Sequence, residues 1–109
     1  MTEIVRQNRA AVKWLYENAR RYNVDPNRIS VSGHSAGGHL TAMLMATDWA
    51  GNYGLPQDVV KSGCAISGLY DLAPLEHSWL QPNLRLNTEE IARNSPIHHL
   101  PSSAGPLIV

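Results

Sequence analysis

Apolar residues in the first segment recur at three- and four-residue spacing: Ile4, Ala11, Val12, Leu15, Ala19 and Tyr22. Arg6, Arg9, Lys13, Glu17 and Arg20 fall mainly off that stripe. This period predicts an amphipathic helix from Thr2 to about Tyr22, with Thr2 as its N-cap. Asn23-Val24-Asp25-Pro26-Asn27 should stop it, because Pro26 disfavours α geometry at Asp25 and Asp/Asn side chains supply turn bonds. The pattern then shortens. Arg28 to Ser32 reads as a strand running into a glycine cluster, and Ala36 to about Thr47 as a helix that is apolar nearly all round. A helix without a polar face is expected to be buried.

Asp48 to Gln57, with two glycines and Pro56, reads as a loop. Val59 to Ser67 carries a second short apolar strand. Residues 74–100 look irregular except for a helix over Thr88–Arg93. Pro106-Leu107-Ile108-Val109 resembles the start of a further strand. Helix, strand, helix, strand, irregular segment, strand is the order of an α/β fold with a parallel sheet. Three short strands cannot make a well-covered sheet alone, so residues 1–109 are expected to be part of a larger domain.

Composition narrows the functional classes. Nine basic residues balance nine acidic ones. That leaves no electrostatic case for binding nucleic acid or an anionic membrane surface. No run approaches the roughly 18 apolar residues of a membrane span, and Glu3, Arg6 and Arg9 break up any apolar leader. Cys64 is the only cysteine and lies beside Ala65 and Ile66, which predicts a small buried hydrophobe. These features fit a reducing, cytoplasmic setting.

The chemistry concentrates at Ile29-Ser30-Val31-Ser32-Gly33-His34-Ser35-Ala36-Gly37-Gly38-His39-Leu40. Gly33-His34-Ser35-Ala36-Gly37 fits the G-x-S-x-G nucleophile elbow, here with its expected context of strand before and helix after. The turn must be sharp and the serine strained. Side chains at Gly33 and Gly37 are expected to collide with it, and Gly38 should let the helix approach the strands. The Ser35 hydroxyl would then stand above the sheet end. The Ala36 amide, at the helix N-terminus, would face a developing oxyanion. A plain glycine-rich turn with a solvated serine is the competing reading. A phosphate loop is not, because the glycine cluster carries neither a Lys-Ser/Thr pair nor G-x-G-x-x-G.

Together with further stretches, this motif resembles the α/β-hydrolase superfamily, and within it the kynurenine formamidase (arylformamidase) and carboxylesterase group. That group borders the hormone-sensitive-lipase-like esterases. The carrying residues are Val5-Arg6-Gln7, Ala10 to Leu15, Asp25 to Ile29, GHSAGGHL from Gly33, and Thr47-Asp48-Trp49. Ala65 to Leu72 (AISGLYDL) and Ser95 to Leu100 (SPIHHL) complete them. The resemblance implies an acyl-enzyme on Ser35, a small ester or N-formyl aryl amide as substrate, and no metal or organic cofactor. It also implies a cap-like segment over about 72–100. The remaining oxyanion donors, the acid and the histidine would lie outside these residues.

Within the chain, His34 and His39 are poor candidates for the base, one pointing away from the elbow and the other beneath it. Asp71 is an alternative acid, but bracing its own turn is the plainer role. His77 reads as a solvated loop residue, and His98-His99 as surface histidines without metal-ligand spacing. Trp49, Tyr70, Trp79 and Leu80 could line an acyl or aryl pocket or simply pack. A non-catalytic binding module and a self-associating fragment, including a homo-oligomer, stand as alternatives to the hydrolase.

Overall fold

The computed structural model describes residues 1–109. Its elements are α1 (Thr2–Asn18), β1 (Ser30–His34), α2 (Ala36–Met45), α3 (Trp49–Tyr53), β2 (Ser62–Ile66), α4 (Gln81–Leu84), α5 (Thr88–Asn94) and β3 (Leu107–Ile108), with single 3₁₀ turns between several of them. The strands form one parallel sheet in the order β1-β2-β3, with Ser30 opposite Ser62 and His34 opposite Ile66. The α/β class and the parallel pairing are those expected.

The first helix is shorter than its periodicity predicts. It gives way to a 3₁₀ turn over Ala19–Tyr22, closed by Asn23 in the left-handed region. Its buried line is Val5, Val12 and Ala19, each two turns from the next. Ile4 and Tyr22, placed on the stripe from the sequence, are 51% and 56% exposed. Thr2 is not a cap but the first helical residue, and its hydroxyl donates to Glu90 Oε1 at 2.7 Å.

Both main strands start later than the apolar runs announce. Asp25 Oδ1 accepts the Asn27 amide and fixes a 3₁₀ turn over Pro26–Arg28, so β1 begins only at Ser30. Val59 and Val60 precede β2 and sink instead into the main core with Val12, Ile29, Leu44, Met45, Trp49 and Leu55. The segment read as a loop after α2 contains α3, whose start is capped by Asp48 Oδ1 on the Gly51 amide. Trp49 is the anchor there. It is 1% exposed and donates Nε1–H to the Leu44 carbonyl at 3.0 Å. A buried indole requires such a partner. In the later segment, α5 is capped by Asn87, and a second small core forms from Leu72, Leu86 and Ile91.

The sheet has one covered and one open face. Gly63 and Ala65 are buried beneath α2, which packs on both β1 and β2. Alternation sends Ser30, Ser32, Ser62, Cys64, Ile66 and Ile108 to the other side, where Ser32, Ile66 and Ile108 are exposed. Cys64 is therefore half-buried rather than a core residue. No helix is long and apolar enough to cross a membrane.

A polar node joins α1, α2 and α5. The Asn94 side chain donates to Thr2 Oγ1 and to the Glu90 carbonyl, each at 2.9 Å. The Asn94 backbone carbonyl accepts from His39 Nε2 at 2.7 Å. Ser95, fully buried, accepts the Leu72 amide at 3.0 Å. These bonds tie the segment after β2 to the helix that follows Ser35.

Candidate active site

Ser35 occupies the single residue between β1 and α2, with φ 55° and ψ −114°. A non-glycine residue in such a conformation costs about 1–3 kcal/mol and needs its surroundings to hold it. Two backbone bonds do so. Its amide donates to the Ile66 carbonyl at 2.9 Å, and its carbonyl accepts the His39 amide at 3.0 Å. The hydroxyl is exposed and does not cap the helix. The amide of Ala36, the first helical residue, therefore belongs to the group that a helix leaves without internal partners.

The flanking glycines divide by function. A Cβ on Gly33 would fall on the backbone carbonyl of Gly37. One on Gly38 would lie 2.8 Å from Gly68 Cα and 2.9 Å from the Ile66 carbonyl oxygen. Gly33 thus permits the turn, and Gly38 permits α2 to seat on the end of β2. Gly37 departs from expectation, since a Cβ there would meet nothing within 4 Å. The collision that the sequence assigns to both glycines is one-sided: the Gly37 backbone fills the space that Gly33 leaves.

No histidine side chain hydrogen-bonds the Ser35 hydroxyl. His34 ends β1 and is exposed. His39 lies one helical turn after Ser35, is 2% exposed, and is held through Nε2 by Asn94. A carbonyl only accepts, so Nε2 carries the proton. Burial pushes the imidazole pKa below its ordinary value, against the pull of the Asn94 carbonyl. His77 is exposed, and His99 Nε2 contacts the Ala92 carbonyl at 3.0 Å. Asp71 Oδ1 accepts the Ala73 amide at 2.9 Å, so it braces the turn that opens the variable segment.

The depressed His39 pKa has a direct consequence. The unfolded chain binds a proton at this residue below about pH 6.5, whereas the fold does so only at lower pH. Between those values the unfolded state holds more protons, so stability falls as pH drops through the window. Above it, His39 adds no pH dependence. Thermal unfolding from pH 7.5 to 5 should show a falling midpoint, and His39→Gln should flatten the part of that slope due to this site. An unchanged slope in the variant would contradict the assignment.

Ser35 opens on a cavity of about 450 Å³. Ten of its twelve lining residues are apolar, among them Ile4, Leu72, Leu75, Trp79, Leu80 and Leu84; the other two are Ser35 and His39. Positions 35, 36, 39 and 40 supply one wall, as one face of the first turn of α2. Residues of the segment after β2 supply the opposite wall. Of the four large side chains proposed from sequence, Trp79 and Leu80 line this cavity. Trp49 is core, and Tyr70 turns its hydroxyl to the Ala65 carbonyl at 2.9 Å. The sequence missed Ile4, whose exposure is explained by its place on the cavity wall.

A parallel sheet, a strained serine at the end of one strand and a buried helix after it define part of an α/β-hydrolase fold. The family model described as BD-FAE matches residues 2–109, and the chain belongs to that family. The kynurenine formamidase of Salmo salar is 41% identical over 69 residues, which is 63% of this chain and 23% of that protein. Esterase LipQ of Mycobacterium tuberculosis is 32% identical over 114 aligned residues, or 91% of this chain and 27% of that protein. Among solved structures, esterase 2 of Thermogutta terrifontis superposes with a TM-score of 0.66 at 24% identity, covering 94% of this chain and 38% of that one. The chain thus spans about a quarter of the length of the curated relatives it matches.

Proposed function

We propose that this chain carries the nucleophile of a serine hydrolase acting on a carboxylic ester or an N-formyl aryl amide. The observation that carries the reading is Ser35 itself, held at φ 55° at a strand end with its exposed hydroxyl beside an apolar cavity. The formamidase and esterase relatives support both substrate classes.

In this mechanism Ser35 Oγ attacks the substrate carbonyl while its proton passes to a histidine. The Ala36 amide donates to the oxyanion that forms, where the positive end of α2 adds to the stabilisation. Collapse expels the alcohol or amine and leaves the acyl group on Ser35. Water then attacks the ester, and the acid departs. His39 is committed to Asn94, and His34, His77, His98 and His99 have no hydrogen bond to Ser35. The base and its acid therefore come from residues other than 1–109. An Asp71 acid would first have to leave the Ala73 amide, so its bracing role is preferred.

Covalent trapping tests the reading. The Thermogutta esterase has been captured phosphoramylated by tabun, so an organophosphorus reagent is a suitable probe. The complete gene product, treated with a fluorophosphonate and digested, is expected to carry the adduct on the Ser35 peptide, with ester hydrolysis lost in parallel. Hydrolysis that survives full treatment, or an adduct on another residue, would overturn it.

A further inference from the structure

The cavity beside Ser35 is lined by one ring, that of His39, with a nitrogen that the hydrolase mechanism leaves idle. His39 is almost wholly buried, and its Nε2–H is spent on the Asn94 carbonyl. A neutral imidazole protonated at Nε2 has a bare acceptor lone pair on Nδ1. No residue of the chain donates to Nδ1. No buried side-chain nitrogen or oxygen lacks a partner, so Nδ1 is not sealed off. His39 lines the Ser35 cavity and borders no other, so that cavity is the outlet open to an unsealed Nδ1. Every other lining residue except Ser35 is apolar.

We infer that His39 Nδ1 is a specificity determinant that accepts a hydrogen bond from an N–H or O–H group of the substrate. This rests on the hydrolase reading and narrows its substrate class. Ser35 immediately precedes α2 and His39 follows Ser35 by four residues, a rise of roughly 6 Å along the helix axis. The donor should therefore sit at about that distance from the scissile carbonyl. An aryl ester or aryl amide with an amino or hydroxyl group at the meta position meets this description. The same substrate with its donor methylated leaves Nδ1 facing an apolar surface. A neutral hydrogen bond in such a site corresponds to about a tenfold preference.

The test compares 3-aminophenyl acetate with 3-(dimethylamino)phenyl acetate on the complete gene product and its His39→Leu variant. Leucine keeps much of the apolar volume but offers no acceptor in place of Nδ1. The wild type is expected to favour the amino substrate by about tenfold in kcat/KM, and the variant to show a ratio near one. A merely structural role for His39 would lower both rates and leave the ratio unchanged, which would overturn the proposal. If neither ester is hydrolysed, the hydrolase reading fails by itself. A second measurement then decides the proposal, and does so equally if the variant does not fold. Histidine-¹⁵N-labelled wild type is titrated with aniline and with N,N-dimethylaniline. An upfield move of the His39 Nδ1 resonance with aniline alone supports the acceptor role. No move with either, or the same move with both, refutes it.

Discussion

Ser35→Ala is expected to reduce kcat/KM for a short-chain aryl ester by roughly ten-thousand- to million-fold, the range seen when a hydrolase loses its nucleophile. The fold should hardly notice. The Ser35 hydroxyl makes no hydrogen bond and is exposed, and both bonds that fix the residue use its backbone. Alanine meets the same positive-φ cost as serine, so the elbow keeps its shape. The measurement is paired: hydrolysis rate for the chemistry, and thermal unfolding for the fold. A variant that unfolds like wild type and retains a tenth or more of the activity would remove Ser35 from the reaction. An equal loss for an ester and for an N-formyl aryl amide would place both substrates on one nucleophile.

The second large effect separates two glycines that the motif treats alike. Gly33→Ala places a methyl group on the Gly37 carbonyl. Backbone on both sides cannot step aside as a flexible side chain could. Overpacking of this kind costs about 3 kcal/mol, at the upper end of its usual range. For a chain of this size that is a fall of roughly 12–20 °C in melting temperature. Relief by a shift in the elbow would carry Ser35 with it, so activity should drop as well. Gly37→Ala should do the opposite. Its Cβ meets open space in a helix, and replacing a helical glycine gains about 0.5–1 kcal/mol. Melting curves of the two variants decide the matter. Equal destabilisation would show that the space beside Gly37 is needed, and no destabilisation by Gly33→Ala would contradict the packing described for the elbow.

That contrast shows where the sequence stops being readable. The elbow, the buried α2 and the parallel order of strands are local or periodic signals, and they survive into the structure. Gly33, Ser35 and Gly38 could be placed because a sharp turn has a fixed steric demand. Which neighbour meets each glycine depends on atoms brought together by the turn, so Gly37 was misjudged. Ile4 fell on an apolar stripe, yet it lines a cavity wall completed by Leu69 to Leu84, far along the chain. Trp49 looked the same as Trp79 in sequence. A cap on α3 and a bond to the Leu44 carbonyl sent Trp49 into the core, whereas Trp79, 82% exposed, stayed at the cavity. The Asn94 contact that commits His39 spans 55 positions and has no local signature.

The bond from the Ser35 amide to the Ile66 carbonyl has a meaning beyond geometry. It is the last rung of the β1–β2 ladder, so Ser35 is tied directly to the sheet. Most functional loops belong to the weakly protected parts of a protein and can fray while the core stands. Here Ser35 has no separate local equilibrium to fray through. Opening the site means breaking the ladder, and heat inactivation and loss of the sheet should occur as one cooperative event. The arrangement gives up the adaptability of a mobile loop. In return, the hydroxyl stays in position for as long as the two central strands remain paired.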